Sequence, residues 1–161
     1  MFKAKSCKGV LKMIQLYTDS AANLPSKLTL EKNIKVISLS YILDGVEQDE
    51  KDFDGKAYYN ALRSGKIAQT SMVNTEAFSS QFRRELESGN DVIYIGISGG
   101  ISGTVNAARI AAAEVTEEFV KKYGDTKRVP EIIVTDSLGA SLGEGMIVLK
   151  AAEMIESGMS V

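Results

Sequence analysis

The sequence from Ile97 to Arg109 reads ISGGISGTVNAAR, a glycine-rich segment between a predicted strand and a predicted helix. The residues before it, Asp91–Ile97, are mostly β-branched or aromatic, which is typical of a strand covered on both faces of a parallel sheet. After it, apolar residues recur at gaps of three and four and predict one face of a helix: Val105, Ala108, Ala112, Val115 and Phe119. The loop is therefore expected at the carboxyl end of a strand.

The chemistry of this loop favours an anionic ligand. Open α/β sheets bind ligands at this edge, where the next helix presents unpaired N–H groups and the positive end of its dipole. Ser98, Ser102 and Thr104 add hydroxyl donors. The glycine spacing matches neither nucleotide-binding fingerprint and the loop has no lysine, which disfavours a nucleoside triphosphate. The structural alternative is that Ser102 caps the helix and the glycines form turns.

The composition is that of an ordinary globular domain. The chain has 161 residues, 44% of them hydrophobic and 25% charged, with a net charge of −2. No long basic block is present, so nucleic acid is not an expected partner. No apolar run approaches the roughly 18 residues of a membrane span.

The sequence has one cysteine, Cys7, and no histidine. It therefore cannot form an internal disulfide, a Cys/His zinc cluster or a His-dependent catalytic triad, and a cytoplasmic location without metal or cofactor is expected. Residues 1–12 are basic and lack the apolar core of a signal peptide, which predicts a disordered leader or extension. Met13 is then an alternative start to Met1, and residues 13–161 form the expected α/β domain.

Further strands and helices alternate along the chain. The other predicted strands are Ile14–Thr18, Ile34–Leu43 and Glu131–Thr135. The acidic segment after Leu43 predicts an exposed loop or hairpin. Asp54 is the expected N-cap of a helix with Tyr58, Ala61 and Leu62 facing inward, and an apolar final helix, Gly139–Ser157, is expected to be buried on several sides. This alternation predicts a parallel sheet flanked by helices.

A second candidate site precedes a helix that is expected to bury Phe78 and Phe82. Thr70 and Ser71 place two hydroxyls together in the segment QTSMVN, residues 69–74. An ordinary capped loop is the structural alternative for these hydroxyls. The two phenylalanines either line a ligand groove with the last helix or belong to the core, which aromatic side chains generally favour.

Four blocks of this sequence resemble the DegV family of bacterial fatty-acid-binding proteins. Residues 17–25, YTDSAANLP, are similar to the family's VTDSTADLP. Residues 70–78, TSMVNTEAF, fall where the family has TSQPSxxEF, and residues 98–104, SGGISGT, fall on SSGLSGT. The TDS at 135–137, followed by ASLG at 140–143, resembles the fourth block. The blocks run in the family's order.

The resemblance implies a Rossmann-like N-terminal domain, with the family's C-terminal domain absent from this sequence and the acyl chain held between the two domains. It implies that Thr70 and Ser102 bind the fatty-acid carboxylate, with Ser71 and Ser98 as further candidates. The sequence departs from the family motifs at Met72–Asn74, which replace QPS, and at Gly99, which replaces a serine.

The leading hypothesis is a non-enzymatic carrier that binds a long-chain fatty acid and, as the resemblance implies, presents it to a separate fatty acid kinase. Self-association through an uncovered face of the last helix is also expected. One alternative is a phosphotransferase or hydrolase half-site that uses Asp19 or Asp136, which both follow predicted strands. Another is an interaction module that binds no ligand. Lipid extraction followed by mass spectrometry separates these hypotheses, since only the carrier should copurify with acyl chains.

Overall fold

The computed structural model describes residues 13–49, 53–124, 126 and 128–159, so the expectation for residues 1–12 lies outside the described residues. The strands are β1 (Ile14–Asp19), β2 (Ile34–Ile37), β3 (Ser40–Leu43), β4 (Val46–Asp49), β5 (Ala68–Ser71), β6 (Asp91–Gly96) and β7 (Ile132–Asp136). The helices are α1 (Ser26–Glu31), α2 (Gly55–Arg63), α3 (Thr75–Glu87), α4 (Thr104–Tyr123) and α5 (Leu142–Glu156), with a 3₁₀ turn at Ser20–Ala22.

The central sheet has the order β2-β1-β6-β7, and all its neighbouring strands are parallel. This arrangement confirms the predicted α/β fold with helices on both faces. The strand order changes direction between β1 and β6, so the loops that follow these two strands border a crevice at the carboxyl edge. The glycine-rich loop follows β6 and lies at this edge, as the sequence predicts.

Alternate residues of each central strand face different helical layers. Tyr17 and Tyr94 belong to a core cluster that includes Phe78 and Phe82 of α3 and the apolar face of α4. On the opposite face, Leu16 and Ile95 pack against Val148 and Ala152 of α5. Because both faces are covered, the central strands carry apolar residues at successive positions.

The prediction of one strand over Ile34–Leu43 is wrong. β2 ends at Ile37 and stays beside β1, while β3 begins at Ser40 and pairs with β4 and β5 in a separate antiparallel sheet. A hydrogen bond of 3.0 Å from the Leu39 N–H to the Ser20 hydroxyl fixes the passage between the sheets. The apolar run is continuous, but its pattern does not specify which strands it pairs with. The hairpin alternative for the acidic segment is correct for β3 and β4, which meet at an Asp-Gly turn.

Helix α5 begins later than predicted and is less buried than predicted. Ser141 has φ 53° and ψ −130°, a conformation that cannot continue a helix, so α5 starts at Leu142. Leu142 and Met146 are 73% and 71% exposed, while Val148 and Ala152 are buried. The expectation of burial on several sides is therefore wrong for the described chain. Within the described ranges, no helix has the length and apolar character needed to cross a membrane.

Helix α5 makes a close backbone contact with the 3₁₀ turn at Gly145. A Cβ added at Gly145 would lie 2.8 Å from the carbonyl oxygen of Ala22 and 3.1 Å from Leu24 Cδ2, whereas one added at Gly143 would meet nothing within 4 Å. Glycine is therefore required at one position and replaceable at the other.

We expect Gly145→Ala to lower the free energy of unfolding by about 1–3 kcal/mol, because the added methyl group overpacks a backbone contact. The matched control, Gly143→Ala, is expected to raise it by up to about 1 kcal/mol through helix propensity. Urea unfolding followed by circular dichroism measures both changes. Equal effects of the two substitutions would contradict the close approach at Gly145.

Candidate functional site

Three loops meet at the carboxyl edge of the central sheet and are joined by backbone hydrogen bonds. The loop after β6 donates from Ser98 N–H to the carbonyl of Gly139 in the loop after β7, at 2.8 Å. The latter loop donates from Ser141 N–H to the carbonyl of Ala21 in the turn after β1, at 2.9 Å. The candidate site therefore lies on a connected set of loops.

The loop after β6 uses many of its own amides. Gly99 N–H donates to Asp136 Oδ2 at 3.1 Å, and Gly100 N–H donates to Ser98 Oγ at 3.2 Å. The amides of Ile101 and Ser102 both donate to the Ser98 carbonyl. The amides of residues 98–102 are therefore engaged within the fold, and any amide free for a ligand has to come from the start of the next helix.

The start of α4 has one exposed amide left for a ligand. Its first turn lies at the positive end of the helix dipole. Among the described residues, the amides of Gly103 and Val105 have no hydrogen-bond acceptor, but Val105 is buried in the core and only Gly103 is exposed.

Ser102 has a hydroxyl hydrogen that is free for a ligand. Thr104 Oγ1 is fully buried, accepts from Val73 N–H at 3.4 Å and lies 2.9 Å from Ser102 Oγ. A buried hydroxyl needs an acceptor for its hydrogen, and Ser102 Oγ is the acceptor within reach. Ser102 Oγ also accepts from Thr104 N–H at 3.3 Å. Its two acceptor positions are thus occupied, and the half-buried Ser102 is left to donate outward.

Thr70 lies in β5, opposite Tyr41 of β3, and its side chain is exposed. The segment that follows β5 packs on the start of α4 through the Val73 N–H bond to Thr104 and through Met72, whose sulfur lies against Gly103. The segment that follows Thr70 is therefore in contact with the start of α4, next to Ser102. We predict that Thr70 and Ser102 lie roughly 4–8 Å apart, close enough to share one carboxylate.

The further candidates have local hydrogen bonds. Ser98 Oγ accepts from Gly100 N–H, so its hydroxyl hydrogen is still available for a ligand. Ser71 Oγ donates to the Met72 carbonyl at 3.4 Å, a long hydrogen bond. These contacts favour Ser98 over Ser71 as an additional donor.

An apolar groove of about 250 Å³ runs beside Thr70. Its walls come from the antiparallel sheet, helix α2 and the 3₁₀ turn, namely Ala21, Leu39, Ser40, Tyr41, Phe53, Tyr58 and Thr70. The rings of Tyr41, Phe53 and Tyr58 pack together with centroid distances of 5.2–5.8 Å. The groove is mostly apolar, and its two hydroxyl-bearing lining residues other than tyrosine are Ser40 and Thr70.

From the sequence, Phe78 and Phe82 are candidates for the aromatic wall of a ligand groove, but this groove is lined by other aromatic residues. Phe78 and Phe82 are fully buried in the core, so the core interpretation is correct and they do not line the groove. Tyr58 was expected to face inward and it does contribute to the groove. The alternation of Leu39 and Tyr41 with serines at the start of the segment SLSYIL was the available signal, but the assignment of this segment to the central sheet obscured it.

Asp19 and Asp136, the candidate catalytic residues of the phosphotransferase or hydrolase alternative, are both engaged in hydrogen bonds within the fold. Asp19 is fully buried and accepts from Tyr94 O–H at 2.7 Å and from Ile97 N–H at 3.0 Å. Asp136 accepts from the amides of Leu138 and Gly99, and these bonds lower its pKa below the ordinary value. Both carboxylates thus act as acceptors that fix loops. In the described part of the chain, no cluster of three Asp, Glu, Cys or His residues could hold a metal ion.

Known proteins resemble this chain over nearly all its length. A DegV domain-containing protein of Clostridium perfringens is 33% identical over 154 residues, which cover 94% of this chain and 50% of that protein. Another from Caldanaerobacter subterraneus is 33% identical over 151 residues, with 93% and 50% covered. The chain spans about half the length of the curated relatives it matches.

Two solved structures share the fold described above. A DegV family protein from Thermus thermophilus, reported with fatty acid binding, superposes with a TM-score of 0.77 at 32% identity, covering 92% of this chain and 49% of that one. DegV of Bacillus subtilis, reported as a fatty acid binding protein, superposes with a TM-score of 0.79 at 26% identity, covering 93% and 50%. The family model described as "Uncharacterised protein, DegV family" matches residues 13–161, and this chain belongs to the DegV family.

Proposed function

We propose that this chain binds the carboxylate of a long-chain fatty acid through Thr70 and Ser102, with Ser98 and Ser71 as additional donors. The observation that carries the proposal is the contact of Ser102 Oγ with the hydroxyl and N–H of the buried Thr104, from which we infer that the Ser102 hydroxyl donates outward. The solved relatives from Thermus thermophilus and Bacillus subtilis, reported to bind fatty acids, support the ligand class.

The chemistry of the site suits a carboxylate without a cationic partner. A carboxylate removed from water needs hydrogen-bond donors, and bonds to a charged acceptor are stronger than neutral ones. Ser102 and Thr70 supply hydroxyl donors, and the start of α4 supplies the exposed amide of Gly103 and the positive end of the helix dipole. The apolar groove beside Thr70 accepts the first methylene groups of the acyl chain.

We propose that the chain is a carrier rather than an enzyme and that it works in the cytoplasm with a separate fatty acid kinase. The carboxylates of Asp19 and Asp136 are engaged with loop donors, which disfavours their use as a base or nucleophile. The carboxylate of the ligand would lie at the open edge of the sheet, where a partner enzyme could reach it. The single cysteine agrees with a reducing compartment.

Soluble octanoate should bind weakly at this site, and the hydroxyl variants should weaken that binding. We expect Ser102→Ala and Thr70→Val each to raise the dissociation constant by roughly ten- to a hundredfold, because each removes a hydrogen bond to a charged group, which is worth about 1.5–3 kcal/mol. Two-dimensional NMR titration of the labelled chain measures the constants. Ser80→Ala is the matched control, since the hydroxyl of this exposed residue donates to the Ala77 carbonyl within α3.

Equal binding by the two variants and the control would contradict the assignment of Thr70 and Ser102. Shifts that cluster at the start of α4 and in β5 would support it.

Palmitate and oleate should bind this chain more weakly than submicromolar, although the headgroup donors are present. Burial of the acyl chain supplies most of the affinity, at about 0.8 kcal/mol for each CH₂ removed from water, and it requires two walls. We place the second wall in the part of the relatives that this chain does not span. Calorimetry measures the affinity, with the Thermus thermophilus relative as the positive control. Submicromolar binding by this chain as a monomer would overturn the two-wall argument.

The exposed apolar face of α5 should cause self-association of the chain. Leu142 and Met146 are largely exposed, and contiguous apolar surface of this kind favours contact with a second copy. Met146→Lys is expected to weaken a concentration-dependent dimer in sedimentation velocity. Val120→Lys on α4 is the matched control, because Val120 is an exposed apolar residue on another helix. A chain that sediments as a monomer at all concentrations would refute this expectation.

A further inference from the structure

Two buried carboxyl groups meet beneath the three loops of the candidate site. Asp19 ends β1 and Glu144 lies in the first turn of α5, and both residues are fully buried. Asp19 accepts hydrogen bonds from the Tyr94 hydroxyl and from the backbone N–H groups of Ala21 and Ile97. These donors satisfy a carboxylate, so Asp19 is the partner that carries the negative charge.

The surroundings of Glu144 suit a neutral carboxyl group. Its Oε1 accepts from the Thr18 hydroxyl at 3.2 Å, and its Oε2 is buried without a hydrogen-bond partner. No lysine or arginine of the described residues forms an ion pair with Glu144 or Asp19. An unpaired oxygen on a neutral carboxyl costs far less than one on a buried carboxylate. Asp19 lies close enough for its charge to raise the pKa of Glu144, so a proton on the unpartnered Oε2 has a nearby acceptor.

We propose that Glu144 is a positioning residue of the carboxylate site, whose neutral carboxyl donates to Asp19 and holds the three loops in their binding arrangement. This inference rests on the proposed fatty-acid site. Asp19 fixes Ile97 N–H, and Ile97 directly precedes Ser98 in the loop that also carries Ser102. Glu144 fixes the start of α5, next to Ser141, whose N–H bonds to the turn after β1.

Loss of the proton from Glu144 would place two negative charges side by side in a buried site. Burial, followed by the charge of Asp19, raises the pKa of Glu144 from 4.5 to about 8. The titratable groups that face it are Asp19 from β1 and Tyr94 from β6, since the 3₁₀ turn Ser20–Ala22 has none. Burial and the neighbouring Asp19 raise the pKa of Tyr94 far above its ordinary value, so Tyr94 keeps its proton.

The direction of the pH effect follows from proton linkage. Between about pH 4.5 and pH 8 the folded chain holds a proton on Glu144 that the unfolded chain has lost. The free energy of unfolding therefore falls as pH rises through this window. Asp136 and Glu85 have lowered pKa values and titrate below it. The chain has no histidine and one cysteine, so few other side chains titrate between pH 6 and pH 9.

The first experiment measures urea midpoints from pH 5 to pH 9 without ligand. We expect the wild-type midpoint to fall with rising pH, and that of Glu144→Gln to change much less, because glutamine keeps an N–H donor for Asp19 and stays neutral. Both proteins carry Cys7→Ser to remove the thiol titration. Identical pH slopes for the two proteins would overturn the proposal.

A second variant covers the case in which Glu144→Gln does not fold. The Thr18 hydroxyl bond lowers the pKa of Glu144, so Thr18→Val should raise that pKa and extend the fall in stability to higher pH. A fall in stability that ends at the same pH in both proteins would overturn the shared proton.

The second experiment measures octanoate binding by NMR at pH 6.5, 8 and 9. If binding requires the protonated Glu144, the wild-type dissociation constant should rise up to about tenfold at pH 9, whereas Glu144→Gln should bind equally at each pH. Equal pH dependence in both proteins would overturn the positioning role. If octanoate fails to bind at every pH, the proposed function fails and the positioning role fails with it. The urea slopes then still decide whether Glu144 and Asp19 share a proton.

Discussion

The carboxylate of Asp19 is the constraint on which the carboxyl edge of this fold depends. It accepts hydrogen bonds from its own turn, from the Tyr94 side chain within β6 and from the Ile97 backbone directly after β6. Each of these donors would cost about 1–3 kcal/mol if it were buried without an acceptor. One side chain therefore sets the relative positions of the two strands at which the sheet order changes direction, and the crevice at the carboxyl edge lies between them.

This constraint also explains the unusual chemistry around Glu144. A second carboxyl group beside Asp19 is tolerated only if one of the pair is neutral. On our proposal the fold accommodates the pair by holding a proton, since no lysine or arginine among the described residues forms an ion pair with either carboxyl group. The arrangement suits a site that binds an anion nearby, because it adds no further negative charge next to the ligand.

The sequence predicts the parts of the structure that local pattern determines. The apolar runs of β1, β6 and β7 and the glycine-rich loop after β6 follow from residues adjacent in the chain. The division of Ile34–Leu43 between two sheets does not, because strand partners are chosen by tertiary packing. The hydroxyls of Thr70 and Ser102 were candidates from motif and resemblance, but the direction of the Ser102 hydrogen depends on the burial of Thr104. The contact of Thr18 with Glu144 joins residues 126 positions apart, beyond the reach of any local pattern.

The small antiparallel sheet, β3–β5, should open locally more easily than the central sheet. It carries Thr70 and the aromatic wall of the groove, yet helix α2, which packs beside it, has no buried residue. Regions with little burial open locally at a lower free energy than the core, so the amides of β3–β5 should exchange with solvent well before those of β1 and β6. One wall of the groove is thus expected to be less protected from exchange than the central sheet. A bound acyl chain would order this wall, and part of its binding energy would appear as slower amide exchange in the hairpin.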